Sequence, residues 1–94
     1  MAEQFPVDLV AVENKVWSGQ AEMVVARTTE GEIGILAGHA PLLGQLADPA
    51  QVRIKRADGE ELAYDVAGGF LSVTAEGVTI LAEECTPAAP ATVH

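Results

Sequence analysis

Apolar and polar residues alternate along most of this chain with a period of two, the spacing at which successive strand side chains point to opposite faces. Val7-Asp8-Leu9-Val10-Ala11-Val12 is a short, mostly apolar and β-branched run, which predicts a buried strand. Glu13-Asn14-Lys15 supplies a turn. Ala21 to Thr28 predicts another strand, with Gly19 and Gly31 as its punctuation. Further on, Gln51-Val52-Arg53-Ile54-Lys55-Arg56 and Glu61-Leu62-Ala63-Tyr64-Asp65-Val66 alternate across a turn containing Asp58-Gly59. A two-residue turn there would set Val52 opposite Asp65 and put a carboxylate on the core face. A three-residue loop, Ala57-Asp58-Gly59, instead pairs Ile54 with Leu62, Val52 with Tyr64 and Lys55 with Glu61. A one-residue slip turns every side chain over, so the three-residue loop is the expected register. Gly59 then occupies the left-handed position of such loops.

A last hairpin is expected around a Glu76-Gly77 turn, pairing Ala75 with Val78 and Val73 with Ile80. Leu71 and Ala82 follow on that face, with Thr74 and Thr79 outward. Strands at short intervals with glycine turns, and almost no helical period, predict an all-β fold, a sandwich or a barrel. No internal repeat, low-complexity tract or linker precedes residue 84. The stretch from Cys85 to His94 carries two prolines and no amphipathic period. The expected organisation is one sandwich domain over 1–84 and a frayed Pro/Ala-rich tail over 85–94.

Composition narrows the function classes. With 94 residues the chain is one domain, and a mean hydropathy of +0.23 makes it globular. Net charge is −9, with only Lys15, Arg27, Arg53, Lys55 and Arg56 positive. Nucleic-acid binding needs a basic footprint, and docking on anionic lipid needs the same, so neither is expected. No apolar run approaches the length of a membrane span, and the N-terminus lacks the pattern of a signal peptide. A lone Cys85 excludes an internal disulfide and fits a reducing compartment.

The stretch Glu30-Gly31-Glu32-Ile33-Gly34-Ile35-Leu36-Ala37-Gly38-His39-Ala40-Pro41-Leu42-Leu43 breaks the strand pattern. Three glycines permit positive φ or close approach, and Pro41 biases Ala40 toward extended geometry. A shaped loop displayed to a partner is expected over Glu30–Leu43. This stretch, with Glu-Gly-Glu-Ile-Gly-Ile and Gly-His-Ala-Pro-Leu-Leu, resembles the signature loop of the epsilon subunit of F-type ATP synthases. Val16-Trp17-Ser18-Gly19 resembles that family's aromatic-Ser-Gly turn. Gly68-Gly69-Phe70-Leu71-Ser72-Val73 and Val78-Thr79-Ile80-Leu81-Ala82 resemble its double-glycine strand and last hairpin. Arg27-Thr28-Thr29 and Gly69 to Thr74 look most like actinobacterial members.

The resemblance spans about Val7 to Glu83, the family's N-terminal domain. It implies two packed five-stranded sheets and a non-catalytic rotor subunit on the cytoplasmic face of the bacterial plasma membrane. The implied partners are the gamma subunit and the membrane c-ring. The implied docking loop runs through Glu30, Gly31, Glu32, Ile33, Gly34, Gly38, His39, Ala40, Pro41 and Leu42, with Glu32 at its tip facing a basic loop of the ring. Typical members continue into a C-terminal helical hairpin, which nothing after Glu84 in this sequence could form. The inhibitory function and the nucleotide site assigned to those helices are therefore not carried over.

The residues offer little chemistry. Glu30 and Glu32 could be paired acid–base carboxylates, but that role needs a pocket and differently tuned environments; a solvated acidic loop is the plainer reading. His39 lacks the companions of a zinc site, since His94 and Cys85 are its distant candidates. Gly68-Gly69 precedes a β-branched strand rather than a helix, which points to close packing, not to a phosphate cradle. Cys85 stands beside Glu83 and Glu84, which would raise its pKa. Trp17 is expected as a core or subunit-contact anchor. No catalytic, nucleotide or metal residue and no cofactor is assigned. The alternatives are a free-standing cytosolic β-sandwich interaction module and a biotinyl or lipoyl carrier. The latter needs a lysine at a hairpin tip, and neither Lys15 nor Lys55 is expected at one.

Overall fold

A computed structural model describes residues 3–12, 15–38 and 40–87. Eight strands form it: β1 Phe5–Ala11, β2 Lys15–Ala21, β3 Met23–Thr28, β4 Gly31–Leu36, β5 Leu42–Gln45, β6 Ala50–Lys55, β7 Glu61–Thr74 and β8 Gly77–Pro87. Their hydrogen bonds run in the order β2-β1-β8-β7-β6-β3-β4, with β5 also on β7. The β1–β8 pairing is parallel and the rest are antiparallel.

The long β7–β8 hairpin resolves this order into two layers. On one edge, β7 pairs with β6 through residues 61–66 and with β5 through residues 70–73. Its first half therefore belongs to a layer with β6, β3 and β4, and its second half to a layer with β5, β8, β1 and β2. Counted once in each layer, β7 and β8 give the two five-stranded sheets that the resemblance implies, built from eight continuous strands.

Leu9, Val7, Leu71 and Ile80 from one layer and Val24, Val52, Ile54 and Ile35 from the other are fully buried. They form one hydrophobic core between the layers. Trp17 packs partly buried at its margin. Gly19 lies inside β2, opposite Val7, rather than punctuating a strand. The Trp17 ring occupies the space where a side chain at residue 19 would stand, 2.8 Å from an added Cβ.

The middle hairpin adopts the expected register: Val52 pairs with Tyr64, Ile54 with Leu62 and Lys55 with Glu61. Its three-residue loop closes through Arg56 N–H to the Glu60 carbonyl at 2.8 Å, with Gly59 at φ 93°. The last hairpin differs from expectation by two residues. Val73 pairs with Val78 and Thr74 with Gly77, so the turn residues are Ala75 and Glu76. The Thr74 hydroxyl accepts the Glu76 N–H at 3.2 Å, which fixes a two-residue turn one position earlier than expected. A two-residue shift preserves sidedness, so Val73, Val78, Ile80 and Ala82 still face the core.

The expected boundary at Glu84 falls inside β8. Cys85, Thr86 and Pro87 pair with Val66, Asp65 and Tyr64. The rest of the tail, 88–94, lies outside the described residues, as do Glu13 and Asn14 of the first expected turn.

Gly68-Gly69 is where β7 passes from one layer to the other. Burial follows even positions before it (Val66) and odd positions after it (Leu71, Val73), so the alternation changes phase there. Gly69 has φ 129°, and an added Cβ would sit 1.9 Å from the Leu81 carbonyl oxygen. Close packing is thus the use of this pair, as the sequence suggests. Gly69→Ala is expected to lower stability by about 2–4 kcal/mol, since it combines a disfavoured φ with a backbone clash. Gly44→Ala, whose Cβ would meet Thr28 Cγ2 at an ordinary 3.6 Å, serves as the control. Urea unfolding of the two variants checks this, with the control within about 0.5 kcal/mol of the parent.

Candidate docking tip and outer faces

The expected loop over Glu30–Leu43 is largely a strand. β4 takes Gly31 to Leu36, with Ile35 buried and Ile33 packed against the core. The loop reading over-weighted the glycines: Gly34 faces outward, where an added Cβ would lie 3.0 Å from the Met23 methyl. It leaves room for Met23 on the neighbouring strand rather than breaking β4. The irregular part is shorter, from the turn at Ala37-Gly38 (Gly38 φ 84°) through Ala40 and Pro41 to β5, which Leu42 opens. His39 lies outside the described residues.

The tip of the β3–β4 hairpin is Thr29-Glu30, because Thr28 pairs with Gly31. The Thr28 hydroxyl donates to the Gly31 carbonyl at 2.8 Å and accepts the Glu30 N–H at 3.2 Å. Gly31 takes φ 128°, the positive value that the turn needs after its second residue. The tip is then tied to the next strand: Thr29 N–H donates to the Gln45 carbonyl at 3.0 Å, and Ala47 N–H to the Arg27 carbonyl at 3.0 Å.

Glu32 is not at the tip. It stands in β4 opposite Arg27, and its carboxylate lies 3.5 Å from the Arg53 guanidinium on β6. Glu30 is at the tip, with no ion pair among the described residues. The two carboxylates therefore occupy different surfaces and form no acid–base pair in a shared pocket.

Beside the tip lies an open groove of about 370 Å³. Thr28, Thr29 and Glu30 form one side, Leu42, Leu43, Gly44 and Gln45 the other, and Ile33 also lines it. Sequence reasoning missed this groove, and with it Thr28, Thr29, Gly44 and Gln45, because the pairing of residues 28 and 46 beside it is non-local.

The outward face of the β5-containing layer carries a second feature. Leu43, Phe70 and Leu81 are 73%, 52% and 45% exposed, and Phe70 pairs directly with Leu81. Val10 pairs with Leu81 and continues the row onto β1. Most large apolar side chains left exposed in the described residues lie on this face.

The sequence over residues 4–88 matches the family described as ATP synthase, Delta/Epsilon chain, beta-sandwich domain. The chain belongs to this family. Among its relatives, the ATP synthase epsilon chain of Rhodococcus jostii (strain RHA1) is 60% identical over 83 residues, 88% of this chain and 67% of that one. That of Mycobacterium sp. (strain KMS) is 58% identical over 77 residues, 82% of this chain and 64% of that one. The chain thus spans about two thirds of the length of these curated relatives. A chain in the cryo-EM structure of Euglena gracilis mitochondrial ATP synthase superposes with a TM-score of 0.83 at 29% identity, covering 89% of this chain and 53% of that one. A chain from the Tetrahymena thermophila mitochondrial ATP synthase shares the fold, with a TM-score of 0.74 at 15% identity over 90% of this chain and 67% of its own length.

In this family member, no described group of three or more His, Cys, Asp or Glu side chains could hold a metal ion. No described helix is long and apolar enough to cross a membrane. Cys85 packs against the core opposite Val66. Burial pushes its thiol above the ordinary 9.0, and the charge of Asp65 adds to this. The sequence pointed to Glu83 and Glu84 instead, which are neighbours in the chain but not the source of the shift. Burial likewise raises the Tyr64 phenol, with Cys85 contributing. Both groups hold their protons more tightly folded than unfolded. Their contribution to stability is complete below the ordinary thiol value and is lost as pH climbs through the raised values. Urea midpoints measured from about pH 8 to about pH 11 are expected to fall, and Cys85→Ala to remove the first part of that fall.

Proposed function

We propose that this chain is the sandwich domain of a non-catalytic epsilon subunit on the central stalk of a proton-translocating F-type ATP synthase. It joins gamma to the c-ring at the cytoplasmic face of the bacterial membrane, as a peripheral subunit. The observation that carries this reading is the apolar row of Leu43, Phe70 and Leu81 on one outer face, adjoining an anchored acidic tip at one end of the same sandwich. A coupling element needs two separate contact surfaces on one stiff body. The apolar face suits a permanent partner, since covering such side chains contributes about 1–2 kcal/mol each. We assign gamma to it. The tip, with the residues from Glu30 to Leu42 around it, suits a lighter, charge-guided contact with the ring.

Stiffness follows from the fold. Both surfaces stand on strands packed against one core, so displacing one displaces the other. Torque from the ring then passes to gamma without a hinge between them. The carrier alternative lacks its central feature, because Lys15 opens β2 and Lys55 closes β6, pairing with Glu61. The free-standing interaction module is the reading that the experiment below must beat.

The test is recovery from solubilised native membranes with the chain as bait and intact-mass analysis of what it retains. The parent is expected to bring gamma, the catalytic subunits and the c-ring. Phe70→Glu and Leu81→Glu are expected to lose gamma by tenfold or more while melting within about 2 °C of the parent, since both sites are exposed. Recovery of the parent alone, or with an unrelated soluble partner, would favour the free-standing module.

A further inference from the structure

We infer that the outer face of the β5-containing layer is self-complementary, and that the free chain pairs through it with a second copy of itself. One row of residues crosses that face at right angles to its strands. Lys15 pairs with Val10, Val10 with Leu81, Leu81 with Phe70 and Phe70 with Gln45. The Gln45 carbonyl accepts the Thr29 N–H at 3.0 Å, which sets Glu30 of the hairpin tip beyond that end. The row is thus basic at one end, apolar in the middle and acidic at the other. Both ends are exposed, and Phe70 and Leu81 in the middle are half exposed.

The order of these six positions selects the symmetry. Two equal faces in contact are related by a twofold axis lying between them. An axis along the row would set Lys15 on Lys15 and Glu30 on Glu30. An axis along the strands, between β7 and β8, reverses the row instead. Phe70 of each copy then lies on Leu81 of the other, and Lys15 of each meets Glu30 of the other. Glu30 is in no ion pair among the described residues, and Lys15 is held only loosely, by Asp8 at 3.7 Å. In the neighbouring row, Ser72 of one copy meets Thr79 of the other, and Leu43 comes over the Lys15–Asp8 pair, whose charges offset each other. Covering Phe70 and Leu81 supplies the affinity, while exposed ion pairs add little beyond fixing the orientation. At −9 per chain the copies repel at long range, and salt near physiological strength screens that repulsion. The contact is small, so a dissociation constant on the order of 0.1 mM is expected. The dimer stands on this surface alone and goes beyond the rotor reading. Under that reading the same face serves gamma, so each contact excludes the other, and free chains keep their apolar row covered until gamma takes it.

Sedimentation equilibrium of the whole chain, from about 10 µM to about 1 mM in about 0.15 M salt, tests this. The parent is expected to pass from monomer to dimer over that range. Phe70→Glu is expected to weaken the dimer by about tenfold or more. Lys15→Glu and Glu30→Lys are each expected to weaken it about threefold to tenfold, and the double variant, whose net charge equals the parent's, to return within about twofold. Glu30→Lys alone makes the chain less negative, so a loss there cannot come from general repulsion. All three sites are exposed, and thermal melting checks that each variant is folded. If Phe70→Glu melts early, the charge swap decides. A parent that stays monomeric at the highest concentration overturns the inference. So does a dimer indifferent to Phe70→Glu, or one that the charge swap does not restore. Recovery of gamma and ring from membranes tests the rotor reading separately, and none of these results bears on it.

Discussion

The contact between Gly69 and the Leu81 carbonyl holds the architecture together. At this point β7 and β8 lie close enough that no side chain fits between them. That closeness lets one hairpin serve two layers without a change of register, which is the same from Tyr64–Pro87 to Thr74–Gly77 on either side of Gly68. The Gly69 carbonyl also accepts the Leu46 N–H at 2.9 Å, which brings the end of β5 to the crossing. Leu46 in turn bridges Thr28, the residue that shapes the hairpin tip. A chain of backbone hydrogen bonds therefore links the middle of the long hairpin to the proposed docking tip. Most groups in this chain are backbone amides and carbonyls, which no side-chain substitution removes.

Sequence alone carried the parts of the fold that depend on sidedness. The three-residue loop at Ala57–Gly59 was legible because the alternative register buries Asp65, and a buried unpaired carboxylate is costly enough to decide between registers. The last hairpin was legible in its faces but not in its turn. A shift of two residues leaves Val73 and Ile80 facing inward, so hydrophobic pattern cannot detect it, and the choice falls to the Thr74 hydroxyl. Gly19 and Gly34 were misread for one shared reason. Each was taken as a conformational signal, whereas each makes room for a large neighbour, Trp17 and Met23. Nothing in a single sequence distinguishes a glycine needed for its φ from one needed for its missing side chain.

The candidate site was legible as a segment and not as a surface. The motif around Glu30 to Leu42 lies within the span of the family match. Which of its carboxylates is free depends on Arg53, twenty-one positions beyond Glu32 and on a different strand. The groove lies beside the meeting of Thr28 and Leu46. Both are long-range consequences of strand order, and local pattern has no access to them. The apolar face was hidden for the opposite reason: Phe70 and Leu81 look like core residues in a β-rich sequence, and only their position in the pleat turns them outward.

The two turns built on Thr-x-Glu-Gly show why one end of this sandwich suits docking better than another. Thr28-Thr29-Glu30-Gly31 and Thr74-Ala75-Glu76-Gly77 use the same hydroxyl bonds, yet their settings differ. Thr28 is buried, its bond to the Gly31 carbonyl is 2.8 Å, and the adjacent Thr29 is held by β5. Thr74 is exposed and its matching bond is 3.4 Å, near the limit of a useful hydrogen bond. Both turns present a glutamate to solvent. Only the first presents it from a frame anchored on two sides and beside a groove. A transient electrostatic contact gains little from the charge itself and more from having its geometry set in advance. On that criterion the Thr28 turn, not its twin, is the better prepared of the two for the docking contact proposed above.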